Sequence, residues 1–288
     1  MSILEVKNLT HTYGGNTPFV NDAVKNVSFS IEKGEIIGII GHTGSGKSTL
    51  VQHLNGLLKP TEGQIFLNGV DIWENPKQII KIRSQVGLVF QYPEYQLFEN
   101  TVYEDIAFGA KKMGLSAEEI DSRIREICKI VGIKEDYLEK SPFDLSGGEK
   151  RRVAIAGVMV MRPQVIVFDE PVAGLDPRGR IDIVRMIKDY RDAYNATVLI
   201  VSHNMEDMAL IADRLIVMNK GELCEYDTTN NVFKQYEMLK SIGLNVPVVT
   251  QIFFKLKEKG VDVPDDIFTV EKAVEYLLSV RKVGASDA

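Results

Sequence analysis

Residues 35–48 read Glu35-Ile36-Ile37-Gly38-Ile39-Ile40-Gly41-His42-Thr43-Gly44-Ser45-Gly46-Lys47-Ser48. The apolar run at 35–40 predicts a buried strand. Residues 41–48 match G-x-x-x-x-G-K-[ST], and a helix is expected from about Gly46 to Leu54. Strand, glycine-rich turn and helix, in that order, are the context in which such a match binds phosphate. The glycines let backbone N–H groups curl round phosphate oxygens. The helix N-terminus adds partial positive charge. Lys47 is expected to reach the β- and γ-phosphates and the Ser48 hydroxyl to ligate Mg²⁺. Gly41, Gly44, Gly46 and Thr49 complete the expected nucleotide contacts. His42 occupies a variable position of the motif and reads as a solvated loop residue with no catalytic role.

A second stretch points the same way. Val165-Ile166-Val167-Phe168 is apolar throughout and ends in Asp169-Glu170. A strand of that kind is buried on both faces, as in a parallel sheet. Asp169 then sits at the carboxyl end of the sheet, where α/β folds bind ligands. It is expected to hold Mg²⁺, and Glu170 to orient or deprotonate an attacking water. Further strands are predicted at 86–90 and 197–201, and helices at 116–131, 146–161, 178–194 and from Met205. Ser116 with Glu119, and Ser146 with Glu149, are spaced as capping boxes. Residues 3–31 read as strands, with turn signals at Gly14-Gly15 and Lys33-Gly34, and 214–226 as a strand and hairpin. This alternation predicts an α/β fold with a mainly parallel core sheet and an antiparallel β subdomain. After about residue 230, Val249, Ile252, Phe253 and Leu256 follow helical spacing, as do Val270, Ala273, Val274, Leu277 and Leu278. Two amphipathic helices are expected there, in a small C-terminal domain over 231–288. Their apolar faces either dock on the core or meet another subunit.

Composition narrows the function classes. The chain has 288 residues, 44% hydrophobic and 26% charged, which excludes disordered, collagen-like and coiled-coil chains. Lys and Arg number 34 against 40 Asp and Glu, for a net charge of −6, so no global basic field attracts nucleic acid. Two cysteines, Cys128 and Cys224, do not make a disulfide framework and fit a reducing compartment. Residues 1–5 lack the pattern of a secretory leader. The most apolar stretch, 153–161, is far shorter than the roughly 20 residues of a spanning helix. Any action at a membrane is expected to run through a partner.

Leu145-Ser146-Gly147-Gly148-Glu149 resembles the signature peptide of ABC-type ATPases, usually LSGGQ. The resemblance covers about residues 3–230. It implies a P-loop NTPase of ABC type, with an ATP-binding domain over 1–230 and a helical subdomain at about 92–162. It further implies that Ser146, Gly147 and Gly148 bind the γ-phosphate held by an opposite subunit. One phosphate loop and one signature then make half of a two-site dimer. Tyr13 stands where the adenine-stacking aromatic is expected. Gln91 stands at the Q-loop, contacting Mg²⁺ and the transport partner. Asp176 in Gly174-Leu175-Asp176 resembles the D-loop, and His203 the switch histidine that senses γ-phosphate. Position 149 departs from the pattern, and Glu149 is expected to cap its own helix.

Tyr92-Pro93-Glu94-Tyr95-Gln96-Leu97-Phe98 resembles the Q-helix of energy-coupling-factor (ECF) transporter ATPases. Residues 90–98, 154–161 and 171–180 look most like the second of the two ATPase subunits in the shared-module type. This implies an ATP- and Mg²⁺-dependent hydrolase at the cytoplasmic face of the cell membrane, driving uptake of vitamins or other micronutrients. The implied partners are a second ATPase (a paralogue or a copy), a membrane T-component contacted through about 92–98, and substrate-binding S-components. Glu94 and exposed aromatics would offer that contact to a basic membrane-proximal helix. The alternative is the ATPase of another ABC importer. DNA-acting ABC ATPases need a long coiled-coil insertion, for which there is no room between Ser48 and Leu145. Ribosome-acting ones usually carry two halves in one chain. A small-molecule kinase would not need the signature or His203, and a non-hydrolysing domain would be expected to have lost Glu170 or His203.

Overall fold

Alternate residues of the apolar strands serve two different cores. Val165 and Val167 pack with Ile37, Ile39, Leu199 and Val201 on one side of the central sheet. Ile166 and Phe168 pack with Ile36, Ile40, Val198 and Ile200 on the other. Both faces being covered, the strands carry continuous apolar runs.

The structure, a computed structural model, describes residues 2–14 and 21–286, with side chains to 280. Gly15 of the first turn signal lies outside the described residues. The N-terminal half runs β1 (Ser2–Tyr13), β2 (Asn21–Glu32), β3 (Ile36–Ile40), α1 (Lys47–Leu54), β4 (Glu62–Leu67), β5 (Val70–Asp71), α2 (Ile79–Gln85) and β6 (Val86–Val89). Then come α3 (Val102–Lys112), α4 (Ala117–Val131), α5 (Gly147–Met159), β7 (Val165–Asp169), α6 (Pro177–Tyr194), β8 (Thr197–Val201), α7 (Met205–Ile211), β9 (Arg214–Asn219) and β10 (Glu222–Thr228). The last elements are α8 (Thr229–Lys234), α9 (Tyr236–Ser241), α10 (Val248–Glu258) and α11 (Val270–Ser286).

The central sheet has the order β10-β9-β3-β8-β7-β6, and an antiparallel sheet has the order β2-β1-β4-β5. In the central sheet β9, β3, β8, β7 and β6 run parallel, and β10 pairs antiparallel with β9 at the edge. The antiparallel sheet and α1 share a core with one face of the central sheet. Helices α3 to α6 cover the other face. This is the α/β architecture expected, with the carboxyl ends of β3, β6, β7 and β8 at one edge.

The tail departs from the expectation of two helices: four follow residue 228. Helices α8 and α9 have six residues each, too short for a periodic pattern to register. Their Val232, Phe233 and Leu239 bury in the main core. Phe253, Val263, Ile267 and Ala273 form a separate small cluster.

Candidate nucleotide-binding site

Gly44 and Gly46 hold φ of +80° and +99°, a region that disfavours side chains, and so let the loop turn back before α1. A Cβ at Gly46 would strike the Ala23 carbonyl, and one at Gly41 the Met218 carbonyl and the Ser45 hydroxyl. The loop is therefore glycine-rich because its own chain crowds it. Lys47 Nζ donates to the carbonyls of Gly41 and His42, at 2.7 and 3.0 Å.

In register, Asp169 of β7 lies beside Val201 of β8, and the Glu170 N–H donates to the Val201 carbonyl at 3.0 Å. Glu170 takes φ +52°, a strained value for a non-glycine residue that turns the chain at the strand end. Its Oε1 lies 3.2 Å from His203 Nε2, close but outside hydrogen-bond alignment. Burial, and next the charge of Asp169, push the Glu170 carboxyl up to about 7. Burial also raises Asp169, against the pull of Lys47. Burial lowers Lys47, although Glu170 and Asp169 oppose it. His203 is lowered by burial and by Lys47.

These strand ends enclose a cavity of about 500 Å³. Tyr13, Gly44, Gly46, Lys47, Ser48, Thr49, Gln91, Asp169, Glu170 and His203 all line it, with Thr43 and Asp22 beside them. Gly41 is buried under the loop and offers its carbonyl to Lys47 rather than a wall. Ser146, Gly147, Gly148 and Asp176 are not in the cavity. The first three open α5, on the surface, and Asp176 caps α6 by accepting from the Gly179 N–H at 2.8 Å. Glu149 closes the capping box, its Oε2 accepting from the Ser146 N–H at 2.9 Å and hydroxyl at 2.6 Å. A Cβ at Gly147 or Gly148 would meet nothing within 4 Å.

The ABC transporter family profile matches residues 24–173. An energy-coupling factor transporter ATP-binding protein, EcfA2, of Caldanaerobacter subterraneus subsp. tengcongensis is 52% identical over 275 residues, 96% of each chain. The chain belongs to the EcfA2 family of energy-coupling factor transporter ATP-binding proteins. The solved structure of CbiO1 from Clostridium perfringens, part of the ABC transporter complex CbiONQ, aligns with TM-score 0.74 at 37% identity, covering 87% of this chain and 98% of that one. A dimeric ATP-binding cassette in a post-hydrolysis state, bound to ADP and Pi, aligns with TM-score 0.70 at 30% identity, covering 78% and 98%. As an EcfA2-family member the chain binds ATP and couples its hydrolysis to transport. No helix among its described residues is long and apolar enough to cross a membrane.

Three features of this EcfA2-family chain differ from what its sequence suggests. Residues Pro93–Gln96 form a single 3-10 turn, entered through Tyr92 at φ +55°. Glu94 is not free for a partner: it accepts from Arg151 Nε and NH2 at 3.0 and 2.8 Å. Burial pushes the Glu94 carboxyl up, but those bonds and the Arg151 charge outweigh it and hold it low. The reason is Arg151 itself, 4% exposed, which must keep its charge paired inside the protein. The guanidinium also donates to the carbonyls of Pro171 and Ala173, at 3.3 and 2.8 Å. It therefore ties together α5, the 92–98 segment and the loop after Glu170. Its signal in sequence is slight: a second-turn arginine among three consecutive basic residues. His42 also departs from the solvated reading, with Nε2 2.8 Å from Asn219 Oδ1.

Proposed function

We propose that the chain is one of two ATPase subunits whose ATP sites are each completed by the other's signature peptide. The observation that carries this is the split of the predicted site. The cavity gathers every expected group except Ser146, Gly147, Gly148, Asp176 and the buried Gly41. The signature glycines stand at a helix N-terminus with open space around them. The N–H groups of a helix start make an anion site, and the chain's own Glu149 turns to the Ser146 N–H and hydroxyl, leaving the space beside Gly147 and Gly148 open. That a similar solved cassette is a dimer bound to ADP and Pi supports the reading.

In this reading Tyr13 stacks on the base, and Lys47 with the loop amides binds the phosphates. The Ser48 hydroxyl, Gln91 amide and Asp169 carboxylate line one cavity. They are an all-oxygen donor set, which suits Mg²⁺. They would hold that ion, which supplies charge neutralisation on the phosphates. Glu170 orients and deprotonates the attacking water, and His203, 3.2 Å from its carboxylate, senses the γ-phosphate. Closure of the two subunits over ATP is the motion that transport uses.

The membrane partner docks beside Gln91. A groove of about 800 Å³ runs between α2, α3 and α5, walled by Leu97, Phe98, Phe108 and Met161 and rimmed by Lys77, Lys81 and Lys112. Phe98 of its wall is 59% exposed, and Tyr95, three residues earlier in the chain, is 84% exposed, as a docking surface requires. The T-component sits there, with S-components supplying specificity for vitamins or other micronutrients. The chain thus lies on the cytoplasmic face of the membrane. The 231–288 segment is a small helical domain appended to the ATP-binding domain over 1–230.

Affinity purification from membranes in mild detergent tests this. A second ATPase, one T-component and several small S-proteins are expected to co-purify. A single large permease without S-proteins would overturn the reading of residues 92–98.

A further inference from the structure

Residues His11 and Tyr13 lie two apart on β1, so their side chains share a face of the strand. Thr49 and His53 lie four apart on α1 and share a face of that helix. The two faces meet in a closed ring of contacts. His53 Nδ1 lies 2.7 Å from the Thr49 carbonyl, and its Nε2 lies 3.1 Å from His11 Nδ1. The His11 ring stands edge-on to His53 at 4.6 Å and edge-on to Tyr13 at 4.5 Å between centroids. The Tyr13 hydroxyl returns to the Thr49 hydroxyl at 3.4 Å.

The chemistry of the ring fixes its protons. His53 is fully buried, and burial drives it down to about 4, although the carbonyls of Thr49 and Lys59 favour its charged form. A neutral imidazole has one N–H. A carbonyl can only accept, so that proton sits on Nδ1, facing Thr49. Nε2 is left as a bare acceptor in a dry place, which needs a donor. His11 supplies it through Nδ1–H. The His11 ring is thereby pinned in one orientation, and its face and edge form a wall against Tyr13. A metal site is not an alternative here. The His53 lone pair already faces His11, and no group of three or more metal-ligating His, Cys, Asp or Glu occurs among the described residues.

We propose that His53 and His11 are positioning residues for the nucleotide base: they hold Tyr13 against α1 so that its ring is pre-set as the wall of the cavity on which the base stacks. This rests on the reading of Tyr13 as the base-stacking aromatic. Such a wall is worth building because stacking on a ring that must first be ordered is weaker. The tether also ties the base wall to the helix whose N-terminus carries Lys47 and Ser48. Base and phosphates are then held by parts of one rigid unit.

The test compares two ligands on the full chain by calorimetry. ATP uses both the base wall and the phosphate loop; inorganic tripolyphosphate uses the loop alone. Tyr13→Ala is expected to lose ATP affinity by about 10-fold or more, the range of base–aromatic stacking, with tripolyphosphate unchanged. His53→Leu is expected to lose ATP affinity by about 3- to 10-fold, the scale of an edge-to-face contact, again with tripolyphosphate unchanged. His53→Gln, whose amide oxygen can still accept from His11, is expected to restore ATP affinity to within about twofold. His11→Ala, at a half-buried position, gives the same selective loss should His53→Leu fail to fold. If Tyr13→Ala is selective for ATP but His53→Leu and His11→Ala bind ATP normally, the tether is wrong and the base-stacking reading stands. Equal loss of both ligands in the histidine variants reduces the pair to a structural role and overturns the proposal. If Tyr13→Ala itself leaves ATP affinity unchanged, the reading beneath it fails too.

Discussion

Two helices of this chain open on glycines, and they do so for different reasons. Before α1, Gly44 and Gly46 hold left-handed backbone, and Gly41 and Gly46 have no room for a Cβ. At the start of α5, Gly147 and Gly148 have ordinary backbone and empty space beside them. The first set of glycines is demanded by the fold of its own chain. A Cβ on the second would meet no neighbour among the described residues, and the proposed closure of a second subunit over it would account for it. Helix α1 buries Lys47, Leu50, Val51, His53 and Leu54, whereas α5 is exposed at its first turn and anchored one turn later by Arg151. On the reading proposed above, one region is half of a nucleotide site, and the other serves a ligand held by a second subunit.

The largest expected effect lies at the first of these. Glu170→Gln should leave ATP binding intact and slow hydrolysis in the assembled complex by roughly 10²–10⁴-fold, the range of a lost general base. Unchanged turnover there would remove Glu170 from that role. Next comes the anchor of α5. Arg151→Met strands Glu94 in a half-buried place and should cost about 3 kcal/mol in a urea melt. Adding Glu94→Gln should recover part of that loss; no recovery would mean that the carbonyl contacts of Arg151 matter more than its charge pair.

Acid sharpens the contrast, because His53 lies on α1 and packs against β1, away from α5. Its folded value is depressed to about 4 from 6.5, so the unfolded chain binds the extra proton between those values. Stability therefore rises with pH across that window, is complete above it, and is lost as pH falls towards 4. The loss is about 3 kcal/mol, and His53→Gln should remove that component of the melting curve. A wild type and variant with parallel pH profiles would contradict it. The smallest effect is the most pointed. Gly46→Ala should destabilise the chain by about 1–3 kcal/mol through backbone strain and collision. Gly147→Ala, in an open first turn, should stay within about 0.5 kcal/mol in thermal melts. Equal losses would erase the distinction between the two glycine sets.

The same distinction explains how much of the molecule is legible in its sequence. The phosphate loop and the 165–170 stretch are readable because local chain geometry enforces them: a buried strand, a turn, a helix. Gly44, Gly46, Lys47, Ser48, Asp169 and Glu170 meet in one cavity. The capping box of Ser146 and Glu149 is readable for the same local reason. The features that escape are held by distant contacts. Arg151 and Glu94 are 57 positions apart, and nothing local marks them as partners. His53 meets His11 across 42 positions. Helix α3 does not stand out although Thr101 caps it, because its apolar positions are interrupted by Gly109 and charged residues. Two of the four tail helices leave no periodic trace, being one to two turns long and burying only a few residues each.

The central claim is that the signature of this chain serves a nucleotide bound by another subunit. Gly148→Asp tests it most directly, because it places a carboxylate at the α5 N-terminus without touching the cavity. ATP affinity of the isolated chain and ATP turnover of the assembled complex are measured together. Affinity should stay within about twofold while turnover falls at least about 10-fold, since the new charge repels the γ-phosphate that closure must bring to it. A fall in ATP affinity of the isolated chain, or normal turnover in the complex, would contradict the account.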